Sequence, residues 1–224
     1  VPTDPHQRDP TQQRSRGPLV VLAGTIAAAI FALDQATKAW ALTQLQGKPA
    51  VILHSGVLEL ELVFNTGSAF GILRDAPWAR AFFITVTVSS LFYFAYLLRT
   101  LATRRPSAFI ALGSILGGSL GNLTDRLIRV VHRRQYFSRG FRFEDVVDHA
   151  TIIQTSLEEG RTWSEFPQHA VVDFIVIYYR PHHRWPAFNV ADIALSCGIA
   201  VFIFFLYRYI SDISTSGPPS PTRL

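Results

Sequence analysis

Asp173 and Asp192 stand 19 positions apart in AVVDFIVIYYRPHHRWPAFNVADIAL (170–195), each at the margin of a long apolar run, in a chain with only 16 acidic residues against 21 basic ones. A carboxylate beside lipid is costly, so its presence calls for a reason. Two carboxyl groups held close together cannot both ionise cheaply. One keeps its proton and the other can draw a proton from water, which is hydrolytic chemistry. Taken alone, Asp192 reads better as a helix-start acid favoured by the macrodipole; only with Asp173 does it become half of a candidate dyad.

Other polar residues cluster in the same way. Asp34 and Lys38 share a helical face at i, i+4 and read as an ion pair. In GGSLGNLTDR (117–126), Asn122, Asp125 and Arg126 follow Gly113, Gly117, Gly118 and Gly121, a spacing that lets helices approach closely and bond across their interface. Rival chemistries fit less well. The seven histidines never form H-E-x-x-H, and His132, His149, His169, His182 and His183 read as loop residues, so no metal is expected. A Ser–Lys peptidase needs a lysine beside its nucleophile, and the only lysines are Lys38 and Lys48. A proton-coupled transporter would place its carboxylates nearer the bilayer midplane.

The elements that must position these residues are membrane helices. The chain has 224 residues, 49% hydrophobic, with 17 Phe and 17% charged, too apolar for an ordinary soluble domain. Four runs are near the length a crossing helix needs: 18–42, 76–98, 107–130 and 187–210. The three later spans argue against reading the first as a cleaved leader. Residues 1–17 read as a disordered arm and 211–224 as a tail. The net charge of +5 sits at the edges of the apolar segments, which points to topology and not to nucleic acid. Cys197 lies in an apolar run and reads as packing.

Arg8, Arg14, Arg16, Arg99, Arg104, Arg105 and Arg208 flank one side of the spans, which predicts cytoplasmic termini and external loops over 43–75 and 131–186. At the helical rise, Asp34 lies ~24 Å into its span, and Asn122 and Asp125 lie ~22 and ~27 Å into theirs. Asn189 and Asp192 open the last span, while Asn65 and Asp173 sit in external loops. All converge on the outer boundary. VLELELVF (57–64) alternates as a half-buried strand does, AVVDFIVIYY (170–179) is β-branched and aromatic, and the two are expected to pair in a small external sheet.

Five segments, DQATK (34–38), NTGSAFGIL (65–73), GGSLGNLTDR (117–126), VVDF (171–174) and FNVAD (188–192), resemble in order and placement the motifs of bacterial lipoprotein signal peptidase, the second class of signal peptidase. The likeness covers about 18–98 and 107–210 with one interruption. It implies an all-α membrane protein of four transmembrane helices with a small extracytoplasmic β cradle. The implied activity is that of an inner-membrane aspartyl peptidase cutting prolipoproteins before a diacylglyceryl-modified cysteine; no cofactor is expected, and the chain is expected to act as a monomer. By resemblance Asp173 and Asp192 are catalytic. Asn65, Gly67, Asn122, Arg126, Asn189, Asp34 and Lys38 support the site or bind substrate, and Asp125, Gly118 and Gly121 are structural. The competing class is a non-enzymatic transporter or assembly module.

One departure stands out. Arg126 and Asp173 are 47 positions apart, where the family has several, which implies an insertion over about 127–169 that serves as a lid, a docking surface or a neutral loop. It holds a second V-V-D at Val146–Asp148. Asp173 is preferred because Phe174 opens an apolar run, whereas His149 follows Asp148, and because Asp173 keeps the family-like interval to Asp192.

Overall fold

The computed structural model describes residues 16–66, 78–101, 103–137, 154–158, 161–180 and 183–215; for 132–137, 154–158, 161–168, 180, 213 and 215 the backbone alone is described. Gly67, Asp148, His149 and His182 lie outside these residues, as do nearly all of the arm and most of the tail. The helices are α1 (Gly17–Leu45), α2 (Ala79–Thr100), α3 (Pro106–Ile128) and α4 (Val190–Thr215), and each is long and apolar enough to cross a membrane. The strands are β1 (Val51–His54), β2 (Leu58–Asn65), β3 (Val130–Phe137), β4 (Gln154–Glu158), β5 (Arg161–His169), β6 (Val171–Arg180) and β7 (His183–Arg184). The chain forms two compact units. One takes α1 to Thr37, α2 from Thr87, α3 to Gly121 and α4 from Val190; the other takes Lys38–Val86 and Asn122–Asn189.

Within the helical unit α3 is the centre, with 67% of its apolar stretch buried against 0% for α2. Pro106 starts it, a residue suited to the first helical turn because its missing N–H would be unpaired there anyway. Phe109, Leu112 and Ile115 pack with Ala23 of α1 and with Phe202 and Phe205 of α4. Lipid tails are as apolar as these side chains, so close backbone approach must supply the packing. Gly113 and Gly117 provide it against α1: a Cβ on either would fall 2.6 Å from the carbonyl oxygen of Ala23 or Ala27. Gly118 does the same against α4, with Ala191 O 2.5 Å from where its Cβ would be. Cys197 is exposed on α4 instead of packed, because a helix that is apolar all round does not announce its inner face.

The second unit holds two antiparallel sheets, ordered β1-β2-β6-β7 and β3-β5-β4. β2 pairs with β6, as the alternation in the sequence leads one to expect. Leu58 faces Ile177 and Val63 faces Asp173, with a register shift between Leu60 and Val63. Tyr178 hydroxyl donates to Glu59 at 3.3 Å. Desolvation and the Glu59 charge push that phenol above its ordinary range.

The inserted stretch forms the second sheet. Its first and last strands pair from Val130↔His169 to Phe137↔Thr162. His132, His169 and His183 therefore belong to strands where the sequence suggested loops. Burial and the Arg80 guanidinium hold the His169 imidazole below its ordinary value.

Candidate active site

β6 brings Asp173 to the interior of its unit, with 1% of its surface exposed. Val171, Val172, Phe174 and Val176 around it are buried too, and Trp40 near the end of α1 meets Phe174 edge-on with ring centroids 6.3 Å apart. A carboxylate so placed needs donors. It has one on each oxygen.

Asn65 Nδ2 donates to Asp173 Oδ2 at 3.0 Å. The register explains why: Asn65 faces Val171 and Val63 faces Asp173, so Asn65 and Asp173 are diagonal neighbours on one face of the β2–β6 ladder. Asn189 Nδ2 donates to Asp173 Oδ1 at 2.7 Å. That contact depends on the chain returning to β6 after β7. Ile175 and Phe188 form an isolated bridge, with Ile175 N–H and Phe188 N–H donating to each other's carbonyls at 2.9 and 3.0 Å. Asn189 is thereby delivered to the strand, fully buried, immediately before α4. Asp192 lies in the first turn of α4 and is half-buried.

Behind Asp173 lies a chain of buried polar groups. Asn189 Nδ2 also approaches Asn122 Oδ1 at 3.1 Å and Val172 O at 3.2 Å. Asn122 Oδ1 accepts in addition from Lys38 Nζ at 2.9 Å. Lys38 forms a salt bridge of 3.0 Å with Asp125 Oδ2, and both side chains are 0% exposed. Asp125 Oδ1 takes Arg129 Nε at 2.6 Å, and Asp125 Oδ2 takes the Val172 N–H at 3.2 Å. Asp125 thus holds the strand next to Asp173 while its own charge is balanced by two cations. Arg126 lies over the Phe83 ring at 5.4 Å, reaches the Asn122 carbonyl at 3.4 Å, and offers its own carbonyl to Arg80 Nε.

In the helical unit Asp34 accepts the Ala191 N–H at 3.1 Å. Ala191 is in the first turn of α4, whose N–H groups have no partner within the helix, so Asp34 caps from α1 the helix that carries Asp192. Gln35 Nε2 donates to Asp34 and to the Gly121 carbonyl. A Cβ on Gly121 would strike the Asp34 carboxylate.

Among the described residues, most of the polar ones singled out in the sequence fall in two groups. Asn65, Asn122, Asp125, Asp173, Asn189 and Lys38 form one hydrogen-bonded assembly, and Asp34 with Gly121 supports the start of α4. The sequence reading missed the Lys38–Asp125 bridge, the cap on α4 and Arg129. Only the i, i+4 spacing of Asp125 and Arg129 could have signalled the last. Among the described residues no three His, Cys, Asp or Glu side chains gather as metal ligands would.

Residues 26–208 match the family model described as Signal peptidase (SPase) II. Similar curated proteins include the lipoprotein signal peptidases of Maridesulfovibrio salexigens, 31% identical over 84% of this chain and 96% of that one. Those of Cellvibrio japonicus and Desulforapulum autotrophicum are 32% and 33% identical, over 84% and 82% of this chain and 86% and 91% of theirs. A bacterial membrane enzyme solved by the in meso method at 2.3 Å resolution shares the fold, with a TM-score of 0.59 at 22% identity over 90% of this chain and 94% of that one.

Proposed function

From the premise that this chain belongs to the signal peptidase II family, we propose that Asp173 and Asp192 are its catalytic pair. The chain is a multi-pass membrane aspartyl endopeptidase that removes signal peptides from lipoprotein precursors. The observation that carries the assignment is the setting of Asp173: a buried carboxylate whose two oxygens are each held by an asparagine amide, at 3.0 and 2.7 Å. Amide donors on both oxygens fix the direction in which the carboxylate points.

The substrate's diacylglyceryl-cysteine places its acyl chains in lipid and its peptide bond at the boundary where the polar groups collect. One aspartate draws a proton from water as the water attacks the carbonyl. Its protonated partner donates to the carbonyl oxygen, giving a gem-diol; as the C–N bond breaks, the first aspartate passes the proton it took from water to the leaving nitrogen, and the partner recovers a proton from a diol hydroxyl. The bond cut lies on the amino side of the lipidated cysteine. Asn65, Asn122, Asn189 and Arg126 hold the dyad or the extended substrate backbone.

Arg16, Arg99, Arg104, Arg105 and Arg208 sit at or beside the ends of α1, α2, α3 and α4 that this topology assigns to the cytoplasm. Both termini then lie inside and the site at the outer face. One chain supplies every group the reaction needs, so a monomer suffices.

The test is cleavage of a synthetic diacylglyceryl-modified peptide by the purified chain in detergent, where no ion gradient exists. Turnover is the expected result. Substrate that stays intact there, together with activity in sealed vesicles only when a gradient is imposed, would turn the assignment over to transport.

A further inference from the structure

The inserted stretch between Arg126 and Asp173 poses a mechanical problem, because the helix bearing Asn122 and the strand bearing Asp173 are joined through tens of residues instead of a short link. Closing so long a segment costs entropy, and a loosely closed one would let β6 shift. The β3–β5 ladder closes it: Val130 faces His169 at its base, and the Ala170 N–H reaches the Arg129 carbonyl at 3.4 Å. What that ladder cannot fix by itself is the way the closed sheet sits on the end of α3.

Arg129 is placed to fix it. Its N–H continues the helical pattern to the Asp125 carbonyl at 3.0 Å, one turn back. Its Nε donates to Asp125 Oδ1 at 2.6 Å, while the other oxygen of that carboxylate takes the Val172 N–H at 3.2 Å. The side chain is 21% exposed and the carboxylate 0%. One residue thus grips the base of the inserted sheet through its carbonyl and the start of β6 through Asp125, one position before Asp173.

We infer that Arg129 is a positioning residue for the peptidase reaction, which acts through Asp125 and the Val172 amide to set the direction of the Asp173 carboxylate. The inference rests on Asp173 being a member of the catalytic pair. A charged donor on a buried carboxylate makes a strong, directional bond, and displacement of a reacting group by about an ångström costs up to about 100-fold in rate. Arg129 touches neither substrate nor water in this reading, so its removal lowers kcat and leaves KM nearly unchanged.

The experiment compares Arg129→Met and Arg129→Lys with the unaltered chain on a synthetic diacylglyceryl peptide, alongside thermal unfolding and hydrogen exchange over residues 170–174. The methionine variant is expected to lose about 10- to 100-fold in kcat with KM within about twofold. Exchange at 170–174 should quicken, and lysine, which keeps a cationic donor, should restore most of the rate. Unchanged kcat in the methionine variant overturns the inference. So does a lysine variant as slow as methionine with both equally destabilised, since that describes a residue needed only for folding. Asp173→Asn run in parallel separates the two levels: if it cleaves normally the dyad assignment fails, whereas if it is inactive while Arg129→Met is normal, only the role of Arg129 fails.

Discussion

Asp173→Asn and Asp192→Asn are each expected to leave lipid-modified precursor uncut while the enzyme accumulates to its usual level. Positioned acid and base groups contribute about 10²–10⁴-fold each, so a loss of that order is expected from either change. The double variant is scarcely slower than either single one, because the two act as a unit. Abundance holds because asparagine keeps the shape of aspartate. At position 173 the new amide can accept from only one of its neighbours, Asn65 or Asn189, and turns its own N–H groups toward the other. That misfit costs about 1–3 kcal/mol, within what a folded chain tolerates. Asp148→Asn, at the second V-V-D, should process substrate at the normal rate. Immunoblotting of precursor and mature forms in membranes reads all four variants.

The second large effect concerns stability. Lys38→Met removes the ammonium that bonds Asp125 at 3.0 Å and Asn122 at 2.9 Å, all within the protein interior. Breaking a buried pair from one side leaves an uncompensated charge and costs about 3–5 kcal/mol. Arg129 still faces Asp125 and moderates the loss without abolishing it. Lys38→Met with Asp125→Asn removes the orphaned charge as well, so the double variant is less destabilised than the sum of the singles. Their coupling should be about 0.5–3 kcal/mol. Denaturant titration in detergent measures it. A Lys38→Met chain as stable as the unaltered one would show that the bridge contributes nothing. Activity falls too, because Lys38 bonds Asn122, Asn122 bonds Asn189, and Asn189 orients Asp173.

The helices were legible because a membrane span is written in consecutive apolar residues, a signal that needs no partner to interpret. Their ends were less so. The last apolar run was read over 187–210, yet α4 opens at Val190, since Phe188 bridges back to Ile175 and Asn189 turns into the site. The third was read to 130, but Val130 already belongs to β3. β2 and β6 showed themselves by alternation and β-branching. β1 did not, because VILH is too short to display a period and its residues are exposed on both faces.

In the site, motif spacing named nearly every residue of the hydrogen-bonded assembly, yet spacing along a helix gives only local partners. Asp34 and Lys38 read as each other's ion pair; beyond their own helix, Asp34 caps α4 and Lys38 bridges to Asp125. Those partners lie 157 and 87 positions away in sequence. The inserted sheet was illegible for a related reason: its β3–β5 ladder joins residues up to 39 positions apart, with no alternation to announce it.

Hydrolysis by this pair requires that Asp173 and Asp192 share one water. This requirement is tested most directly by a crystal structure of the chain with a non-cleavable lipopeptide bound, in which the separation of the two carboxyl groups is measured. Both groups are expected to face the scissile carbonyl, each within about 3 Å of a common water or of the oxygen that replaces it. Carboxyl groups turned away from each other, or parted by packed side chains with the substrate in place, would contradict it.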